Sequence, residues 1–122
     1  MRFYRRRLPE AVAPETFARL VNPARQPQGI VAEAEGQLIG FAHYLLHPST
    51  WSIAETCYLE DLFVAPAARG AGVGRALIEA VYAAADEAGA ASVYWMTQEF
   101  NADARALYDT LARRTSDIRY ER

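Results

Sequence analysis

The residues Val64-Ala65-Pro66-Ala67-Ala68-Arg69-Gly70-Ala71-Gly72-Val73-Gly74-Arg75 join a run of β-formers to a run with helical spacing. Upstream, residues 57–64 read as a strand that Ala65-Pro66 stops. Downstream, Val73, Ala76, Leu77, Ala80, Val81, Ala84 and Ala88 recur at helical spacing until Gly89 supplies a C-terminal stop. Strand, glycine-rich turn and helix in that order aim main-chain N–H groups and a positive helix end at an anion. Gly70, Gly72 and Gly74 remove Cβ atoms from the approach, and Arg69 and Arg75 can add charge-assisted hydrogen bonds, so the expected ligand of residues 69–75 is a pyrophosphate. A dinucleotide fingerprint needs glycine three positions after Gly72, where Arg75 stands, and a P-loop needs Gly-Lys-Ser or Gly-Lys-Thr, which is absent. Without further context, such a turn serves packing as readily as binding.

Working outward, residues 14–21 read as a short helix, and Asn22-Pro23 and Gln26-Pro27 interrupt regular structure as far as Gly29. Residues 30–33 and 37–47, parted by Glu35-Gly36, predict a β-hairpin. Residues 47–52 form a loop, residues 92–97 a fourth strand, and residues 117–120 alternate as a last strand would. Asn101 suits a helix N-cap with Asp103 in the first turn, and Ala104, Leu107, Tyr108 and Leu111 form that helix's inner stripe. One domain over residues 1–122 is expected, folding alone or as a simple oligomer such as a homodimer.

The composition narrows the functional classes. A hydrophobic fraction of 52% with 23% charged residues is that of a globular domain. A formal charge of −2 gives no electrostatic footprint for nucleic acid or an anionic membrane, and tolerates a cationic small substrate. The cluster Arg2, Arg5, Arg6, Arg7 is followed by Leu8-Pro9-Glu10 instead of an apolar segment, so it reads as a solvated terminus rather than a secretion signal. No run approaches the ~18 apolar residues of a membrane span. A lone Cys57 excludes an internal disulfide framework and a cysteine-based zinc site, which fits a cytoplasmic location. His43 and His47 have a metal-like spacing only on a helix, and their segment reads as strand, so no metal is expected.

The segment Arg69-Gly70-Ala71-Gly72-Val73-Gly74 resembles the Gln/Arg-x-x-Gly-x-Gly/Ala signature of the GCN5-related N-acetyltransferase superfamily. The likeness continues through Tyr58-Leu59-Glu60-Asp61-Leu62-Phe63-Val64 before the turn, and through Val93-Tyr94-Trp95-Met96-Thr97 and Asn101-Ala102-Asp103-Ala104-Arg105-Ala106-Leu107-Tyr108 after it. Within the superfamily, Ser49-Thr50-Trp51, Tyr58-Leu59-Glu60-Asp61 and Tyr94-Trp95 look most like the diamine, histone and polyamine acetyltransferases. The resemblance implies an α+β fold in three layers, a mixed, mostly antiparallel sheet with helices on both faces. It departs from the family in its N-terminal part, where only about 28 residues precede the hairpin and the first strand is expected to be missing.

The resemblance also implies acetyl-coenzyme A as cosubstrate and a primary amine as acceptor. The coenzyme's pyrophosphate would lie on Arg69, Gly70, Ala71, Gly72, Val73, Gly74 and Arg75, with main-chain groups of Leu62, Phe63 and Val64, and Asn101, along the pantetheine arm. An amine of lysine type attacks a thioester only when neutral, so a base is needed. Strand alternation sets Glu60 on the face of Tyr58, Leu62 and Val64, among apolar neighbours that make a carboxylate a better base, and turns Asp61 the other way. Glu60 is therefore the candidate base, directly or through water, and by resemblance Asp61 belongs to the acceptor's surroundings. Tyr108 occupies the family's position for the acid that protonates the departing thiolate, a task a phenol can perform. Tyr44 and Trp51, with the two histidines, are expected to edge the acceptor pocket, where aromatic faces favour a cation. The alternative function is a non-catalytic acyl-coenzyme A sensor, against which the joint presence of Glu60 and Tyr108 argues.

Overall fold

The computed structural model describes residues 2–4 and 27–122. Five strands lie in sequence order across one sheet: β1 (Arg2–Tyr4), β2 (Gln28–Ala34), β3 (Gln37–Ser49), β4 (Ser52–Val64) and β5 (Ser92–Tyr94). The first four pair antiparallel, and β5 joins β4 parallel through the crossover helix α1 (Val73–Glu87). A second helix, α2 (Ala102–Leu111), follows β5. The α+β architecture and its mixed, mostly antiparallel sheet are those expected.

The β2–β3 hairpin closes where expected: Glu35 and Gly36 both take positive φ, 52° and 78°, the conformation of the tightest hairpin turns. One face of the sheet packs on α1, whose apolar stripe Val73, Leu77, Ile78, Val81, Ala84 and Ala85 meets Ile30, Ala32, Ala42, Tyr44, Cys57 and Leu59. Leu107, Tyr108 and Leu111 bring α2 against the same core. The contact is close because Gly40 has no side chain: a Cβ there would stand 2.7 Å from the Phe63 carbonyl oxygen and 3.1 Å from a Leu77 methyl. Helix α1 ends in a Schellman motif, with Gly89 at φ 73° donating to Asp86 and Ala90 donating to Ala85.

Three expectations are corrected. The first strand is present, since Arg2–Tyr4 pairs with β2, and Arg2 is thereby a strand residue and not part of a free terminus. Residues 117–120 form no strand, and β5 ends at Tyr94 instead of Thr97. Alternation alone could not reveal either result, because a strand exists only where a neighbour accepts its main-chain bonds. The short helix expected over residues 14–21 lies outside the described residues.

Candidate active site

The cleft forms where the parallel ladder stops. Strands β4 and β5 pair only over Thr56↔Ser92, Cys57↔Val93 and Tyr58↔Tyr94. Beyond that point the two chains part, and a cleft of about 270 Å³ opens between them, lined by Leu59, Glu60, Asp61, Leu62, Trp95, Met96, Thr97, Asn101 and Tyr108. On the β5 side the chain turns toward α2, and Trp95 packs edge-on against Tyr108 at 5.4 Å between ring centres. On the β4 side, among the described residues, no strand covers the edge beyond Tyr58, so alternate main-chain groups face the cleft.

A β-bulge changes the β4 wall. His43 pairs with Asp61 and the next β3 residue, Tyr44, pairs with Leu59, which leaves Glu60 unopposed. One extra residue reverses the parity of the strand. Cys57 and Leu59 therefore face the core before the bulge, and Leu62 and Val64 face it after. Alternation predicted that Glu60 and Asp61 point to opposite faces and that Glu60 stands among apolar neighbours. Instead both acids are exposed and both line the cleft, and the apolar enclosure expected around Glu60 is absent.

Tyr108 is half-buried, and burial pushes its phenol above the usual tyrosine range, so it holds its proton throughout the neutral range. Its hydroxyl makes no hydrogen bond among the described residues. Asn101 caps α2, its Oδ1 accepting from the Ala104 N–H at 3.4 Å, and so fixes where the helix begins and where Tyr108, two turns on, meets the cleft.

The glycine turn lies at the far end of β4. Gly70 and Gly72 have φ of 84° and 80°, and an added Cβ at either would stand in open space. Gly72 caps α1 in the left-handed region without a side-chain hydrogen bond, leaving the helix's first N–H groups to an outside acceptor. An open, Cβ-free cradle at a helix start fits a pyrophosphate. Gly74 differs from its two neighbours. Its absent Cβ points at Leu107, 3.3 Å away, so this glycine lets α2 approach α1. The two cations are engaged nearby: Arg69 Nε donates to the Val64 carbonyl at 3.2 Å, and Arg75 Nη2 donates to Thr110 Oγ1 at 2.7 Å.

Two expected acceptor residues lie elsewhere. Tyr44 is 2% exposed in the core beneath α1, and Trp51 is 96% exposed at the tip of the β3–β4 hairpin. Neither lines the cleft. Leu59, Trp95, Met96 and Thr97 do, although sequence reasoning gave them no role in the site. Their signal in sequence is that they lie within the two stretches, residues 58–64 and 93–97, that carry the family resemblance. Among the described residues no group of acids, histidines and cysteines could hold a metal ion, and no helix is long and apolar enough to cross a membrane.

Comparison with known proteins identifies the family and the fold. The model of the acetyltransferase (GNAT) family matches residues 1–112. The chain is 44% identical over 117 residues to the D-amino-acid N-acetyltransferase HPA3 of Saccharomyces cerevisiae, covering 94% of this chain and 73% of that protein. It is 31% identical over 97 residues to a thialysine N-epsilon-acetyltransferase of Sus scrofa, with 80% of this chain and 53% of that protein covered. The chain thus spans about half the length of some curated relatives it matches. Among solved structures, an aminoglycoside acetyltransferase from an uncultured soil metagenomic sample superposes with a TM-score of 0.80 at 22% identity, over 92% of this chain and 74% of that one. With sequence and fold in agreement, the chain belongs to the acetyltransferase (GNAT) family, a family of acyltransferase enzymes.

Proposed function

We propose that this protein moves the acetyl group of acetyl-coenzyme A to a primary amine, such as a polyamine, a small amine or a lysine-like side chain, by direct attack within a ternary complex. The observation that carries the reading is the opening between β4 and β5, which brings Glu60 and Asp61 on one wall opposite Asn101 and Tyr108 on the other. The relatives named above support it from a second direction, since both are named for N-acetylation.

Bound acetyl-coenzyme A supplies the thioester. The turn of residues 69–74 and the start of α1 hold its pyrophosphate, and the uncovered edge of β4 at Leu62, Phe63 and Val64 offers main-chain groups to the arm. Glu60 takes the proton of the amine, directly or through water, as the nitrogen bonds to the carbonyl carbon. Tyr108 gives its proton to the sulfur as the carbon–sulfur bond breaks, and its raised affinity for that proton keeps it loaded at neutral pH. Asp61 faces the acceptor. A pool of 1,4-diaminobutane, spermidine, D- and L-lysine, thialysine and an aminoglycoside, incubated with acetyl-coenzyme A and read by mass spectrometry, should show one or more acetylated products. Binding of coenzyme A without any product would favour the sensor instead.

A further inference from the structure

The residue behind Asp61 is a histidine. His43 pairs with Asp61 directly across β3 and β4, and its Nδ1 lies 3.0 Å from Asp61 Oδ2. The two side chains differ sharply in exposure, 10% for His43 and 56% for Asp61. Phe41 stacks on the imidazole at 4.8 Å, and Phe63 stacks on Phe41 at 5.4 Å, which fixes the ring plane. The second ring nitrogen, Nε2, is buried without a hydrogen-bond partner among the described residues.

These facts select a tautomer. At 3.0 Å a proton must lie between Nδ1 and the carboxylate, or two lone pairs would face each other. Setting the proton on Nε2 instead would also bury a donor with no acceptor. An Nδ1–H imidazole holds Oδ2 on the strand side, and the other oxygen of the same carboxylate is left for the cleft that Asp61 lines.

We propose that His43 is a positioning residue: it fixes the Asp61 carboxylate so that its second oxygen accepts a hydrogen bond from the N–H of a cationic amine entering the cleft. This deepens the acetyl-transfer reading and rests on it for the identity of the acceptor, while the His43–Asp61 pairing itself does not. The pair adds a specificity element for cationic acceptors, separate from the base and the acid.

The test has two arms. In the first, imidazole nitrogens are observed by ¹⁵N NMR in the whole protein at neutral pH. His43 should show the Nδ1–H tautomer with a hydrogen-bonded Nδ1–H resonance, and Asp61→Leu, which offers no acceptor, should remove that hydrogen-bond signature. In the second, steady-state kinetics use the fastest amine of the pool. His43→Leu should raise the KM for the amine about tenfold, the loss of one hydrogen bond to a charged group, and leave the KM for acetyl-coenzyme A within about twofold. His43→Asn should recover most of the loss, because its amide N–H stands near the place of Nδ1. In an Asp61→Asn background, His43→Leu should add less than about twofold. A histidine that merely fills space predicts the opposite, with Asn as harmful as Leu and the effects additive. That result, or an Nε2–H tautomer in the parent protein, overturns the proposal. If no amine is acetylated, the acetyl-transfer reading fails, and the NMR arm still decides the pairing: a hydrogen-bonded Nδ1–H lost in Asp61→Leu upholds it, and the Nε2–H tautomer rejects it.

Discussion

The glycine turn at residues 69–74 and the acidic wall at Glu60 and Asp61 belong to consecutive stretches of chain, yet they are built by different physics. The turn is local. Two glycines with φ of 84° and 80° and the first turn of a helix make the cradle, and every part of it lies within a few residues. The wall is not local. It exists because β3 meets β4 with one residue to spare, and because β5 stops pairing at Tyr94. A binding feature made by backbone conformation can be cut out of a sequence; one made by register depends on the partner strand. The two regions should therefore fail differently when altered.

The largest effect should come from the cleft. Tyr108→Phe keeps the ring against Trp95 and removes only the hydroxyl, so turnover should fall ~10²–10⁴-fold while calorimetric affinity for coenzyme A stays as it was. Glu60→Gln should slow the reaction at neutral pH more than Asp61→Asn slows it at saturating amine. The Glu60→Gln deficit should shrink at high pH, where the amine is already neutral. A deficit that ignored pH would make Glu60 a binding residue.

In the turn the expected loss is smaller and of another kind. Gly72→Ala meets no neighbour but forces an L residue to φ 80°, so it should cost about 1 kcal/mol of stability and weaken coenzyme A several-fold, with kcat at saturation little changed. Gly40→Ala sharpens the contrast: it lies outside both regions, and its Cβ would meet the Phe63 carbonyl at 2.7 Å. A stability loss of ~1–3 kcal/mol is expected in denaturant unfolding.

The smallest effect concerns pH. Burial pushes the Cys57 thiol from 9.0 up to about 11. A folded-state value above the unfolded one means that stability is fully present below pH 9 and is lost as pH rises toward about 11. Tyr108, also raised by burial, adds to the same alkaline loss. Denaturation followed from pH 8 to 11 should show the decline, and Cys57→Ala should remove part of it.

What could be read from the sequence follows the same division. The hairpin at Glu35-Gly36, the helix ending at Gly89 and the cap at Asn101 were legible because each is written in turn or capping chemistry. The glycine turn was legible too, although Gly74 proved to serve the packing of Leu107. The faces of Glu60 and Asp61 were not, since strict alternation holds only until a bulge, and nothing in Leu59-Glu60-Asp61-Leu62 marks one. The places of Tyr44 and Trp51 were not legible for a related reason: strand parity decides whether an aromatic meets the core or the solvent, and a hairpin tip carries its residues away from the ladder's open end. His43 is visible in sequence as one of two histidines, but its partner Asp61 is set by strand register.

Titration of coenzyme A into the parent protein and into Gly72→Val, Glu60→Gln and Tyr108→Phe tests the division of labour between turn and cleft most directly. The account predicts that Gly72→Val loses most of its affinity, and that the two cleft variants bind like the parent while turning over slowly. Parental affinity in Gly72→Val, together with weakened binding in the cleft variants, would contradict it.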